Sequence, residues 1–173
     1  MLKLNKSRFF VLNGLIAAVY TVLTLALPFF GFGQIQFRVS EAMCLLPAVI
    51  PGSAVGVTLG CFLSNLLGAF IGVNPVGIID SVVGTFATAL TCITVILLAK
   101  VLKKQWTRIL LLPLPAVLFN AVIVGAELAF LYPPVTTVKF LSFALSVGLG
   151  EAAVCYTLGN LLLIVLLKRN KEV

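Results

Sequence analysis

Apolar residues run along this chain in six stretches, at about Phe9 to Phe29, Glu41 to Ile50, Ala54 to Ile71, Ile79 to Leu102, Ile109 to Leu131 and Phe140 to Leu167. Between them stand Gly31-Phe32-Gly33, Pro51-Gly52-Ser53, Asn74-Pro75, Lys103-Lys104 and Pro133-Pro134, residue types that end helices and begin turns. The pattern predicts six transmembrane helices. The second is short and flanked by Pro47 and Pro51. About ten residues of α-helix cover about 15 Å, half a bilayer, unless the stretch from Gln34 helps to complete the crossing. The loop before it, Gly31 to Val39, is expected to dip into the protein.

Composition sets the class. Hydrophobic residues make up 61% of the chain and charged residues 10%, against about 25% charged in a soluble domain. The 173 residues have room for at most about six spans with short connections. One transmembrane domain over 1–173 is expected, an all-α bundle embedded in the lipid bilayer.

Basic residues orient it. With the N-terminus inside, Lys3, Lys6, Arg8, Lys100, Lys103, Lys104, Arg108, Lys168, Arg169 and Lys171 fall in the cytoplasm, and only Arg38 and Lys139 fall outside. Both termini are then cytoplasmic. The net charge of +7 follows from this asymmetry, so no nucleic-acid partner is expected. The first apolar run is longer than a signal-peptide core of about 7 to 15 residues, and predicts a retained helix. Cys44, Cys61, Cys92 and Cys155 fall within spans, without CxxC spacing or any histidine, and read as buried unpaired thiols.

Four acids in or beside apolar segments need explaining. A charge at the centre of a membrane helix costs about 2.5 to 3.5 kcal/mol on insertion scales, which implies a polar cavity or a partner. Glu41 and Asp80 open helices at the outer surface, where a carboxylate also complements the helix dipole. Asp80, after Asn74-Pro75-Val76-Gly77, reads equally as a helix cap and as a ligand group. Arg38 and Glu41, three apart, can pair if the helix begins early. Glu127 lies about five residues, or about 7 Å, below the outer end of its helix, and Glu151 about ten residues, or about 15 Å, into the last one. Neither can cap a helix. Asn120, seven residues before Glu127, falls on the same α-helical face, either as a pocket group or as an interhelical hydrogen bond.

Gly56, Gly60, Ser64, Gly68 and Gly72 recur every four residues, a ladder that lets a neighbouring helix approach closely. Asn65 beside it can join the pocket or bond a neighbour. Gly14 and Ala18, next to Ala17 and Thr21, form a shorter small-residue pair on the first helix. No Walker lysine, HExxH or G-x-S-x-G is present, and Gly56 to Gly60 lacks a following Lys-Ser/Thr. Binding and translocation remain, with no enzyme activity or cofactor expected.

The segments Gln36-Phe37-Arg38-Val39-Ser40-Glu41-Ala42 with Leu45-Leu46-Pro47, Gly60-Cys61-Phe62-Leu63-Ser64-Asn65-Leu66-Leu67-Gly68, Leu118-Phe119-Asn120-Ala121-Val122-Ile123-Val124-Gly125-Ala126-Glu127 and Val147-Gly148-Leu149-Gly150-Glu151-Ala152 resemble the QueT family. These are the substrate-binding S-components of energy-coupling factor (ECF) transporters, associated with a queuosine precursor. The resemblance spans nearly the whole chain. It implies the six-helix S-component bundle with cytoplasmic termini, in the cytoplasmic membrane of a prokaryote. It also implies partners, a transmembrane coupling protein and two cytosolic ATPases, with Gly14, Ala17 and Ala18 as candidates for docking. The implied solute is an aminomethyl-deazaguanine.

Such a solute offers an N–H and an amine side by side, which a carboxylate accepts as a pair, and an ammonium that wants a second acid. Glu127 and Glu151 are assigned to those groups in either order. Glu41, Asp80, Asn65, Arg38 and Asn120 complete the polar lining, and Phe37, Tyr132 or Phe143 stacks on the ring. The loops at Gly31, Asn74 and Pro133 would gate it. A rival reading is an ion-gradient-driven carrier in which Glu127 and Glu151 relay protons.

Overall fold

The computed structural model describes residues 5–32 and 36–169. Gln34, the basic residues Lys3 and Lys171, and part of the loop from Gly31 to Val39 lie outside the described residues. The described chain is all helical, with no strand. Helix α1 (Lys6–Ala26) is followed by a single turn, α2 (Pro28–Gly31), and then by a 3₁₀ helix over Val39–Ala48. A second 3₁₀ turn, Pro51–Ser53, leads into α3 (Ala54–Phe70), and α4 (Ile78–Val101) follows. The remainder is two long segments. One comprises α5 (Gln105–Leu111), α6 (Leu114–Phe119), a π turn at Asn120–Val124 and α7 (Gly125–Leu131). The other comprises α8 (Thr137–Val154), a π turn at Cys155–Gly159 and α9 (Asn160–Arg169).

Five of these segments are long and apolar enough to cross a membrane, one fewer than the six runs predicted. The expected second span is the ten-residue 3₁₀ helix. At about 2 Å per residue this tighter helix extends about 20 Å, further than the same residues would reach as α-helix. Its two ends sit in different layers. Arg38, just before it, reaches Asp80 at the start of α4, while Ala48 and Val49 pack against the cluster of Leu45, Val95, Leu112 and Leu163, which Leu102 and Leu167 also flank.

Close packing explains where each helix lies. A Cβ on Gly56 would come within 2.8 Å of the Asn13 carbonyl oxygen, and one on Gly60 within 2.6 Å of the Tyr20 Cβ, so α3 lies directly against α1. Asn13 exploits the contact, since its Oδ1 accepts from the Gly56 N–H at 2.6 Å, one of the donors that the first turn of α3 leaves without a helical partner. Gly72 departs from the expected ladder. It lies past the end of α3 at φ +76° with open space around it, a turn position that glycine adopts at no steric cost.

Pro113 has no N–H to offer the Ile109 carbonyl one turn earlier. Asn160 Nδ2 replaces it, donating to the Ile109 oxygen at 3.0 Å, and the Tyr156 hydroxyl donates to the Leu110 oxygen at 2.8 Å. These bonds fasten the last segment to the proline-broken one. Phe10, Val11, Phe70, Val82, Phe86, Val101 and Leu145 point outward and exposed, the surface that a surrounding lipid phase requires.

Candidate functional site

Among the described residues, eighteen polar or charged ones are buried, including Arg38, Glu41, Asp80, Glu127 and Glu151. Arg38 is 2% exposed and Asp80 1%, with the guanidinium Nη2 3.7 Å from the Asp80 Oδ2. That separation is an ion pair too long for a hydrogen bond. Arg38 Nε donates to the Gly31 carbonyl at 3.3 Å, Nη1 points at the Cys61 sulfur at 4.0 Å, and the group lies 5.6 Å from the centre of the Phe32 ring. Its Nη2 has no hydrogen-bond acceptor.

Asp80 is held on one side only. Its Oδ2 accepts from Asn74 Nδ2 at 2.8 Å, and its backbone oxygen accepts from Asn65 Nδ2 at 3.0 Å. Its Oδ1 and the Asn65 Oδ1 are buried without partners. The N-cap of α4 is Gly77, with no side-chain cap, and Asp80 lies in the first turn of the helix, its carboxylate bonded to Asn74. A Cβ on Gly84, one turn further along α4, would fall 2.8 Å from Asn65 Nδ2 and 2.9 Å from Asp80 Oδ1.

Glu41 is fully buried. It accepts from the Tyr20 hydroxyl and, at 2.9 Å, from the Cys44 thiol, with the Thr88 hydroxyl at 3.5 Å. The anticipated pairing of Arg38 with Glu41 does not form. The extended residue before the 3₁₀ helix turns the guanidinium toward α4, while Glu41 faces α1.

Glu151 is 1% exposed, with the Cys155 thiol 3.8 Å from Oε2. Because α8 begins at Thr137, Glu151 sits about 21 Å along it, deeper than the sequence implied. Beside it, Gly150 abuts the main chain of Gln36 so closely that a Cβ has no room there. Glu127 is 7% exposed, and neither of its oxygens has a partner.

Asn120 is buried, but its amide donates to the Ala116 carbonyl of its own helix at 3.1 Å. The π turn beginning at Asn120 adds a residue to the turn, which offsets the register to Glu127 by about 100°. The two residues therefore do not share the face that uninterrupted α geometry gives. Of the aromatic candidates, Phe143 is buried and lies 6.0 Å, centre to centre, from the Tyr132 ring, while Phe37 is 39% exposed. Phe32, read from the sequence only as part of a break between helices, is the ring against Arg38.

Cys44, Cys61, Cys92 and Cys155 are buried and free. No group of His, Cys, Asp and Glu suited to a metal ion occurs among the described residues.

The family model of the QueT transporter matches residues 10–168. The chain belongs to the QueT transporter family. QueT proteins are S-components of ECF transporters, a transporter family and not an enzyme class. With five apolar helices long enough to cross a bilayer, this member is a multi-pass membrane protein. No curated protein and no solved structure matches it.

Among the residues that sequence reasoning passed over, Tyr20, Thr88 and Gly84 lie against the acids, and Asn74, read from the sequence only as a break and a gate loop, bonds Asp80. A hydroxyl in the middle of an apolar run was the available signal for Tyr20 and Thr88. Gly84 carried none. Of the three small residues on α1, Gly14 and Ala18 face outward, while Ala17 is buried against Gly60 of α3.

Proposed function

We propose that this chain is the substrate-capture subunit of an ECF-type importer, taking a cationic deazapurine of the aminomethyl-deazaguanine kind from outside the prokaryotic cytoplasmic membrane. The carrying observation is a set of buried atoms without partners: both oxygens of Glu127, Oδ1 of Asp80, Oδ1 of Asn65 and Nη2 of Arg38. Native proteins leave few such groups unmet, because each costs about 1 to 3 kcal/mol. A solute with several N–H donors and one carbonyl meets all of them. Four buried carboxyl groups, Glu41, Asp80, Glu127 and Glu151, outnumber the single buried guanidinium of Arg38, which favours a cation.

Delivery inward then requires docking on a transmembrane coupling protein with two cytosolic ATPases. Gly14 and Ala18, exposed on α1 beside Phe10, Val11, Leu15 and Val22, offer a flat apolar stripe to a partner helix. Ala17 supports that stripe from within.

Mass spectrometry of small molecules released from the purified protein tests the solute: a deazapurine supports the reading, and an unrelated solute ends it. Uptake in cells tests the energy source. It should stop when the ATPase partners are deleted and survive collapse of the proton gradient, whereas the opposite pattern would favour a proton-coupled carrier.

A further inference from the structure

The end of α4 remote from Asp80 carries a second charged site. Lys103, just past that end, and Gln105 and Arg108 of α5 meet Leu167 and Lys168 of α9 around a cavity of about 150 Å³. It lies about 30 Å along α4 from Asp80 and shares none of the residues of the acid cluster. Among the described residues that line it, three of five are cations and none is acidic. The positive-inside rule accounts for basic residues at these helix ends, but not for their convergence from two distant parts of the chain. Like charges around one small space repel unless an anion offsets them.

Arg108 is the fixed member. Its Nε donates to the Leu102 carbonyl at 2.8 Å and its Nη2 to the Ala99 carbonyl at 3.0 Å, carbonyls of the kind that a helix end leaves over. Those bonds hold the guanidinium in place and do not use Nη1.

The surroundings indicate the kind of anion. Trp106, the only tryptophan in the chain, is 82% exposed beside Gln105, and Val101, Leu110 and Val165 on the flanking helices are exposed as well. An exposed indole among apolar side chains and lysines marks the boundary between hydrocarbon and headgroups. Lipid phosphates occupy that level, and basic pockets between helices on the cytoplasmic side attract the anionic ones.

We propose that this cavity binds the headgroup phosphate of an anionic phospholipid of the inner leaflet, with Arg108, Lys103 and Lys168 as donors and Leu167 against the apolar part of the lipid. A phosphate there links α5 to α9 through charge-assisted hydrogen bonds.

Trp106 supplies the readout, because brominated acyl chains quench a nearby indole. The full-length protein is reconstituted in vesicles of phosphatidylcholine and phosphatidylglycerol of one fixed composition, with either the first or the second lipid brominated. Quenching should show the anionic lipid enriched at the indole by at least about fivefold. Enrichment should fall to within about twofold in Lys103→Gln/Lys168→Gln. It should persist in Lys6→Gln/Arg8→Gln, which removes the same charge from the same side of the membrane outside the cavity.

Equal quenching by the two lipids in the wild-type protein overturns the proposal, whether or not either variant folds, and leaves the basic rim to an acidic protein surface. Equal loss of enrichment in the two double variants overturns the cavity as the site and leaves diffuse surface charge. Emission restored by millimolar inorganic phosphate, but not by sodium chloride of equal ionic strength, overturns the lipid in favour of a soluble phosphate.

Discussion

The Arg38 guanidinium and the Asp80 carboxylate face each other across 3.7 Å, both almost fully buried, without closing into a hydrogen bond. Removing one partner strands the other's charge, which costs about 3 to 5 kcal/mol. Ligand-free Asp80→Asn and Arg38→Gln proteins should therefore each unfold well below the wild type in thermal denaturation in detergent. The double variant should lose clearly less than the two single losses together, the mark of direct coupling.

Tyr20 donates its hydroxyl to Glu41 from the facing helix. Tyr20→Phe keeps the ring in its packed site and removes only that donor, leaving a buried carboxyl oxygen short of a partner. The expected loss is about 1 to 3 kcal/mol, read as a lower unfolding midpoint. Tyr156→Phe, whose hydroxyl meets a backbone carbonyl at the bundle's exposed side, should lose only about 0.5 to 1.5 kcal/mol.

Gly84 leaves the space in which the Asn65 and Asp80 side chains lie side by side. A methyl group there falls at 2.8 and 2.9 Å from them, so Gly84→Ala must push one or both aside. Ligand affinity should fall by at least about tenfold, about 1.4 kcal/mol, in a titration of the folded variant.

Gly14 and Ala18 lie on the outward face of α1, with open space around Gly14. Gly14→Leu should leave solute binding unchanged and reduce co-purification of the coupling module by about tenfold or more, because a large side chain prevents close approach of a second helix. Equal recovery of the module with both proteins would place the docking surface elsewhere.

The membrane class and the places of the five long segments were legible because length, apolar runs and basic clusters are local properties of a chain, while several segments begin three or four residues before their apolar runs. The burial of Glu127 and Glu151 was legible for a different reason, the cost of an acid in an apolar helix. The pairing of Arg38 with Asp80 was not, since it joins residues from two separate segments and competes with a closer candidate, Glu41.

The 3₁₀ form of Val39–Ala48 and the π turns at Asn120–Val124 and Cys155–Gly159 were also hidden. Such departures from α geometry reflect what neighbouring helices impose, and no residue pattern announces them. Their consequence is specific: Asn120 turns back to its own helix while Glu127 stays unpartnered.

On the reading proposed above, the buried, unpartnered groups of Glu127, Asp80, Asn65 and Arg38 receive a cationic deazapurine. Isothermal titration of the purified wild-type protein in nanodiscs with an aminomethyl-deazaguanine tests it most directly. Saturable heat at one site per chain, lost in Glu127→Gln, is the predicted result; no heat with correctly folded protein would contradict it.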